Sequence, residues 1–318
     1  MKANYYFLPI LLFPLFASCS SSDDEETIVN DGGRKLRYLT ITQVEADKAT
    51  RSLFDLTRAS LTDNGKTLSA SWNENDLLTY CNLSILDRND LSFTYHTDRP
   101  LSGTLKAESA NPQSTITGQA ICNNGDYLSL IYPVNTFILG PNVLENNVSQ
   151  PTVQYTINIS GQDGTIDKLA NQYHYVFGEV KVAVKDDKAT GEVNLESLLA
   201  VCRFSFKYNN EKIHIEKLTI NYLSADDYGG KYPVSATLIA YPGYHNLNPI
   251  ILESDPVLEI NPPSGTSPED VYVALLPTGS NGRTFRFVVN DTYYYEGDAI
   301  LNSGEFYPTV LNMNKLNN

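Results

Sequence analysis

Apolar and polar side chains alternate at a period of two along most of this chain, and no comparable run of helical period competes with them. Val180, Val182 and Val184 fall on one side of a run whose other side carries Lys181 and Lys185. Cys202, Phe204, Phe206 and Tyr208 oppose Arg203, Ser205 and Lys207, and Leu218, Ile220 and Tyr222 repeat the pattern. Successive side chains of a strand point to opposite faces, so such a run buries one face and wets the other. Further strands are predicted at 36–44, 68–72, 77–83, 91–95, 103–107, 115–121, 127–132, 153–159, 235–240, 271–276, 285–289, 292–295 and 310–316. Turn dipeptides such as Asn64-Gly65, Asn111-Pro112 and Asn124-Gly125 separate several of them. The one helix-like piece is 195–200. Tyr, Thr, Val, Ile and Phe are plentiful, as a half-buried pleated surface requires. The spacing predicts an all-β protein of sandwich type.

The first 26 residues are of another kind. Lys2 precedes an almost wholly apolar run from Tyr5 to Ala17, about 13 residues long, within the roughly 7–15 of a signal peptide and short of the roughly 20 that span a bilayer. Phe16-Ala17-Ser18-Cys19 places small residues before a cysteine. This resembles the lipobox of bacterial lipoproteins, which implies cleavage after residue 18 and acylation of Cys19. More than one acyl chain gives stable anchoring. Ser20-Ser21-Ser22-Asp23-Asp24-Glu25-Glu26 is too polar to fold and reads as a tether. It resembles the acidic tract that routes such lipoproteins to the outer face of the outer membrane. No other stretch is long and apolar enough to enter a membrane.

The formal charge is −14, and loss of residues 1–18 would remove Lys2 alone, leaving the remainder more acidic still. That sign argues against nucleic acid and against electrostatic docking on anionic lipid. The four histidines, His96, His174, His214 and His245, form neither HExxH nor HxH spacing, and there is no GxSxG or phosphate-binding loop. The expectation is a protein without catalytic residues, catalytic metal or cofactor. Cys81, Cys122 and Cys202 lie in apolar runs without a CxxC pair, which suits core packing rather than zinc or redox chemistry. A Cys81–Cys122 disulfide stays open. Gln162-Asp163-Gly164-Thr165-Ile166-Asp167 loosely suggests a calcium loop but lacks the further carboxylates and the closing Glu, so a turn is expected. Tyr293-Tyr294-Tyr295 is the densest aromatic cluster. It could stack on a sugar; the plainer reading is an edge strand.

Several phrases taken in order resemble the fimbrillin family, the subunits of type V pili. The lipobox precedes an acidic tether, and Thr57-Arg58-Ala59 follows a first strand. Trp72-Asn73-Glu74-Asn75-Asp76-Leu77-Leu78 looks like the family's Trp, then Asp, then strand pattern, and 127–133, 195–206 and 271–277 have its texture. The resemblance implies two tandem transthyretin-like β-sandwich domains, placed here at 35–165 and 166–318 after a signal peptide (1–18) and a lipidated tether (19–34). It also implies assembly by strand replacement. The first strand, contributing about four inward apolar residues, would leave after an arginine-specific protease cuts at Arg58, or as second choice at Arg51, and a strand from another subunit would take its place. The partners implied are other fimbrial subunits, that protease, the outer membrane through the lipid, and a surface glycan or protein as adhesion target. The chain stops at Asn318, soon after the 310–316 strand, which suits a tip or accessory subunit. The alternative is a glycan-binding outer-membrane surface lipoprotein.

Overall fold

A computed structural model describes residues 34–44, 60–85, 102–145, 148–223, 230–250 and 257–316. Its strands are β1 (Lys35–Gln43), β2 (Ser60–Asp63), β3 (Leu68–Ser71), β4 (Leu77–Asn82), β5 (Ser102–Ala107), β6 (Ile116–Cys122), β7 (Tyr127–Tyr132), β8 (Phe137–Glu145) and β9 (Val148–Asn158). Next come β10 (Val176–Lys181), β11 (Ala183–Lys185), β12 (Lys188–Val193), β13 (Glu196–Ser197), β14 (Ala200–Tyr208), β15 (Glu211–Lys212) and β16 (Leu218–Tyr222). The series ends with β17 (Ser235–Tyr241), β18 (Tyr244–Ile250), β19 (Leu258–Ile260), β20 (Asp270–Leu275), β21 (Arg283–Val289), β22 (Tyr293–Ala299), β23 (Phe306–Asn312) and β24 (Asn314–Lys315). The all-β expectation holds. The predicted strand at 91–95 lies outside the described residues.

Nine strands form one sheet in the order β11-β12-β1-β6-β5-β4-β7-β10-β13. This sheet closes on itself. Leu39, Ile41, Leu78, Leu105, Ile116, Leu128, Leu130, Val180 and Val193, drawn from seven of its strands, share one core with Trp72. Where β12 crosses β10 there is no room for a side chain: a Cβ on Gly191 would lie 2.3 Å from Val180 Cγ2, and one on Gly178 would lie 2.6 Å from the Asn194 carbonyl.

A second core lies on the other face of β4, β7 and β10. Cys81, Ile131 and Phe177 turn away from the first core to meet Val153, Tyr155 and Ile157 of β9 and Leu238 of β17. β4 and β7 each show five consecutive buried positions. Strands buried on both faces read as continuous apolar runs, which is why 127–132 lacks alternation. The same core continues into β14 and β20, with β23 running parallel to β14, and into the sheet β19-β16-β21-β22-β24.

Strand pairing does not follow the expected division at 165/166. β10–β13 belong to the nine-stranded sheet, while β9 pairs with β17. Both ladders cross that point, because the outer face of β4–β7–β10 is covered by β9 from before it together with β17 from after it. The helix expected at 195–200 is also absent. Glu196–Ser197 pairs with β10, and Leu198 N donates to the Tyr175 carbonyl at 2.9 Å, so tertiary contacts take the backbone groups a helix would use. The helical turn is instead Ile166–Lys168, continued as a π turn at Leu169–Tyr173.

Candidate functional site

β1 is wedged between two strands that do not pair with each other. It runs antiparallel to β6, with Arg37 opposite Ala120, Leu39 opposite Gly118 and Ile41 opposite Ile116. It runs parallel to β12, with Leu39 opposite Ala189 and Ile41 opposite Gly191. Leu39 and Ile41 are completely buried, and Arg37 nearly so. Leu36 and Tyr38 point outward and are 61% and 53% exposed. The inward apolar residues therefore number two rather than the expected four, because Arg37 and Gln43 hold the flanking inward positions. Two such side chains contribute about 3–6 kcal/mol. Directly opposite residues share a face of the sheet, so the large side chains of β1 fill room left by Gly118, Ala120, Ala189 and Gly191.

Charge fixes the start of β1. Arg34 grips Asp126 in a two-point clasp, Nε to Oδ2 and Nη2 to Oδ1, both at 2.8 Å. Asp126 is 4% exposed and also accepts from Asn82 Nδ2 at 3.0 Å and from the Asn123 N–H at 2.9 Å. Lys35 Nζ lies 2.5 Å from Asp187 Oδ2, and Arg37 Nε is 3.7 Å from Oδ1 of the same carboxylate. Arg37 Nη1 donates to the Cys122 carbonyl. Asp186 and Asp187 both have positive φ, the conformation of the tight hairpin turn joining β11 to β12, and that turn brings Asp187 to β1. The hydrogen bond from Lys35 holds the Asp187 carboxyl below the usual aspartate range. Burial pushes the Cys122 thiol up to about 11, against a smaller opposing pull from Arg37. At the far end Gln43 Nε2 donates to the Ser114 carbonyl at 2.7 Å, and Val44 N to the Val193 carbonyl at 2.9 Å.

The next described strands form the β2–β3 hairpin, which is not part of the nine-stranded sheet. Asp63 bolts this hairpin to the opposite body. It pairs with Arg203 of β14 and accepts from Tyr272 of β20 at 2.8 Å, while the Gly65 N–H donates to its other oxygen at 2.5 Å. Burial would raise the Asp63 pKa, but the hydrogen bonds from Gly65, Tyr272 and Arg203 outweigh it and hold the carboxyl below its usual value.

Cys19, Arg51 and Arg58 lie outside the described residues. In sequence, both arginines fall between β1 and β2. Arg34, Arg37, Asp126 and Asp187 were not singled out from sequence. The run Arg34-Lys35-Leu36-Arg37 was the available signal, but its acidic partners are 92 and 152 residues away. Cys81 and Cys122 are free thiols, one in each core, so the sheet itself separates them and the disulfide is excluded. Asp163 accepts from the backbone and hydroxyl of Thr165 at 2.9 and 2.7 Å and pairs with Lys168 at 3.8 Å, so this segment is a helix-starting turn. The three tyrosines lie on β22, an interior strand between β21 and β24. Tyr293 packs on Tyr208, Tyr295 on Phe287, and Arg286 sits over Tyr294. Elsewhere, a cavity of about 470 Å³ is lined by Glu196, Tyr222, His245, Asn246, Thr278 and Arg283. Among the described residues, no three His, Cys, Asp or Glu side chains converge as a metal site, and no helix is long and apolar enough to cross a membrane.

No family model and no curated protein matches the chain. Solved structures do resemble it. A putative cell adhesion protein from Bacteroides uniformis is 11% identical over 89% of this chain and 96% of its own, with a TM-score of 0.48. A fimbrial protein from Bacteroides ovatus is 8% identical over 87% of this chain and 49% of its own, TM-score 0.39. A fimbrial assembly protein from Parabacteroides distasonis is 10% identical over 87% and 90%, TM-score 0.38. At these values the likeness assigns no role to any residue of this chain.

Proposed function

We propose that the chain is a non-enzymatic structural subunit of a cell-surface fimbria, lipidated at Cys19, delivered to the outer membrane and assembled by strand replacement. The observation that carries the reading is the position of β1. It is the first described strand, yet it lies inside a sheet between β6 and β12. A single cut between residues 45 and 59 therefore severs it from every later strand, and from then on only non-covalent contacts hold it. Its loss would leave two unpaired strand edges beside a groove lined by small residues, which is the geometry that accepts an added strand. The hairpin that follows is bolted elsewhere by Asp63 and would stay in place. Arg58 is the first choice of cut and Arg51 the second, and subunits of the same assembly are the partners.

Mild trypsin on the full chain should cut first within 45–59, a polar connecting stretch in sequence that carries Lys48, Arg51 and Arg58. N-terminal sequencing identifies the bond. The cut protein, once β1 is lost, should self-associate or melt lower on gel filtration and thermal scanning. A cut protein that releases β1 and remains a monomer with unchanged Tm would overturn strand replacement. The second reading, a glycan-binding surface lipoprotein, draws on the 470 Å³ cavity, whose size suits a small ligand. A glycan array probed with the wild type and with His245→Ala separates the two.

A further inference from the structure

We propose that the seat of β1 selects its occupant by charge: it takes a strand from another subunit bearing a cation at the Arg34 position and large apolar side chains five and seven residues on. This rests on the strand-replacement reading and names the partner that reading requires. Asp126 is the selector, and nothing in β1 builds it. Its carboxylate is held by Asn82 and by the Asn123 N–H, while Asn82 in turn donates to the Ile121 carbonyl at 2.9 Å and accepts from the Ser84 N–H at 3.0 Å. This buried network belongs to β4, β6 and the loop before β7, so the anion stays preset when β1 departs. An occupant without a cation there would bury a carboxylate that has lost its partner, the costly way to break a buried ion pair.

The rest of the seat fixes register and direction. Asp187 asks for a second cation near the same end. Gly118 and Ala189 opposite position 39, and Gly191 opposite position 41, ask for bulk. The Ser114 carbonyl at the other end asks for a donor such as Gln43. A slip of one residue would turn the apolar side chains to solvent and move the cation away from Asp126. The occupant therefore runs parallel to β12, cation first. Within this chain, a cation followed by a second three residues on and by large apolar residues five and seven on occurs only at Arg34. A cut second copy has lost its own β1, and none of its other described strands carries this pattern, so the donor is a strand of a different subunit.

The test uses the full chain with a specific protease site placed within 45–59. After cleavage, fluorescent peptides of residues 34–43 compete for the seat: the native sequence, and versions with Arg34→Lys, Arg34→Gln and Arg34→Glu. Retention should fall in that order, with Arg34→Glu weaker than native by about tenfold to 100-fold, as expected for a lost partner in a mostly buried pair. In protein carrying Asp126→Asn the spread should collapse to within about threefold. If all four peptides are retained equally by the wild-type protein, charge selection is wrong and strand replacement survives. If the cut protein retains none, both are wrong. Should Asp126→Asn not fold, the peptide series on the wild-type protein decides alone.

Discussion

Leu39→Ala is the sharpest probe of how β1 is seated. The substitution removes three carbons from a completely buried side chain. Transfer alone costs about 2.4 kcal/mol at about 0.8 per methylene. A cavity cost adds to this, and it depends on how far the neighbours can close in. Here the residues directly opposite on both flanking strands are Gly118 and Ala189, which have nothing to move into the void. The expected loss is therefore in the upper part of the Leu→Ala range, about 3–5 kcal/mol. Leu36→Ala and Tyr38→Ala, on the outward face, should each cost about 0.5 kcal/mol or less. Urea unfolding followed by tryptophan fluorescence measures this in the right place. The chain has a single tryptophan, Trp72, completely buried in the first core with its ring 5.4 Å from that of Tyr132. Its signal therefore reports the core that β1 completes. Equal costs for the three substitutions, or a larger cost at Leu36 than at Leu39, would mean that β1 is out of register by one residue or does not occupy the sheet.

Asp63→Asn should loosen the β2–β3 hairpin by about 1–3 kcal/mol, read as faster hydrogen exchange across 60–71. Because the folded Asp63 carboxyl titrates below its unfolded value, its contribution is present above the ordinary aspartate pKa of about 3.9 and is lost as pH falls below it. Wild-type protection of the hairpin should drop there, and the Asp63→Asn variant should lack that acid step. Gly191→Ala should cost about 1–3 kcal/mol by overpacking against Val180, and Val180→Ala in the same chain should recover part of it, a coupling read from a double-mutant cycle. In a Cys19→Ala background, Cys81, Cys122 and Cys202 should be silent to a thiol reagent at pH 8 and all react in denaturant, since burial raises the Cys81 thiol to about 12 and the Cys122 thiol to about 11.

The sequence by itself determined where most strands lie and which way their side chains point. Alternation is a local property: Leu218, Ile220 and Tyr222 must share a face whatever they meet, and Leu39 and Ile41 do so in β1. Strands without alternation were harder to see. The exposed edge strand β18 has no inward stripe to betray it; β7, although it lacks alternation because two cores claim it, was still legible as a short apolar run. Which strands pair was not in the pattern. Two ladders cross the division placed at 165/166, because β10 pairs with β7 and β9 with β17, partners chosen by what each face must cover. The charged clasp was equally out of reach. Arg34-Lys35-Leu36-Arg37 reads locally as a solvated basic run. Only folding brings it to Asp126 and Asp187, because a hydrogen-bonded ladder couples residues far apart in sequence through register, and register is a property of the whole sheet rather than of any one strand.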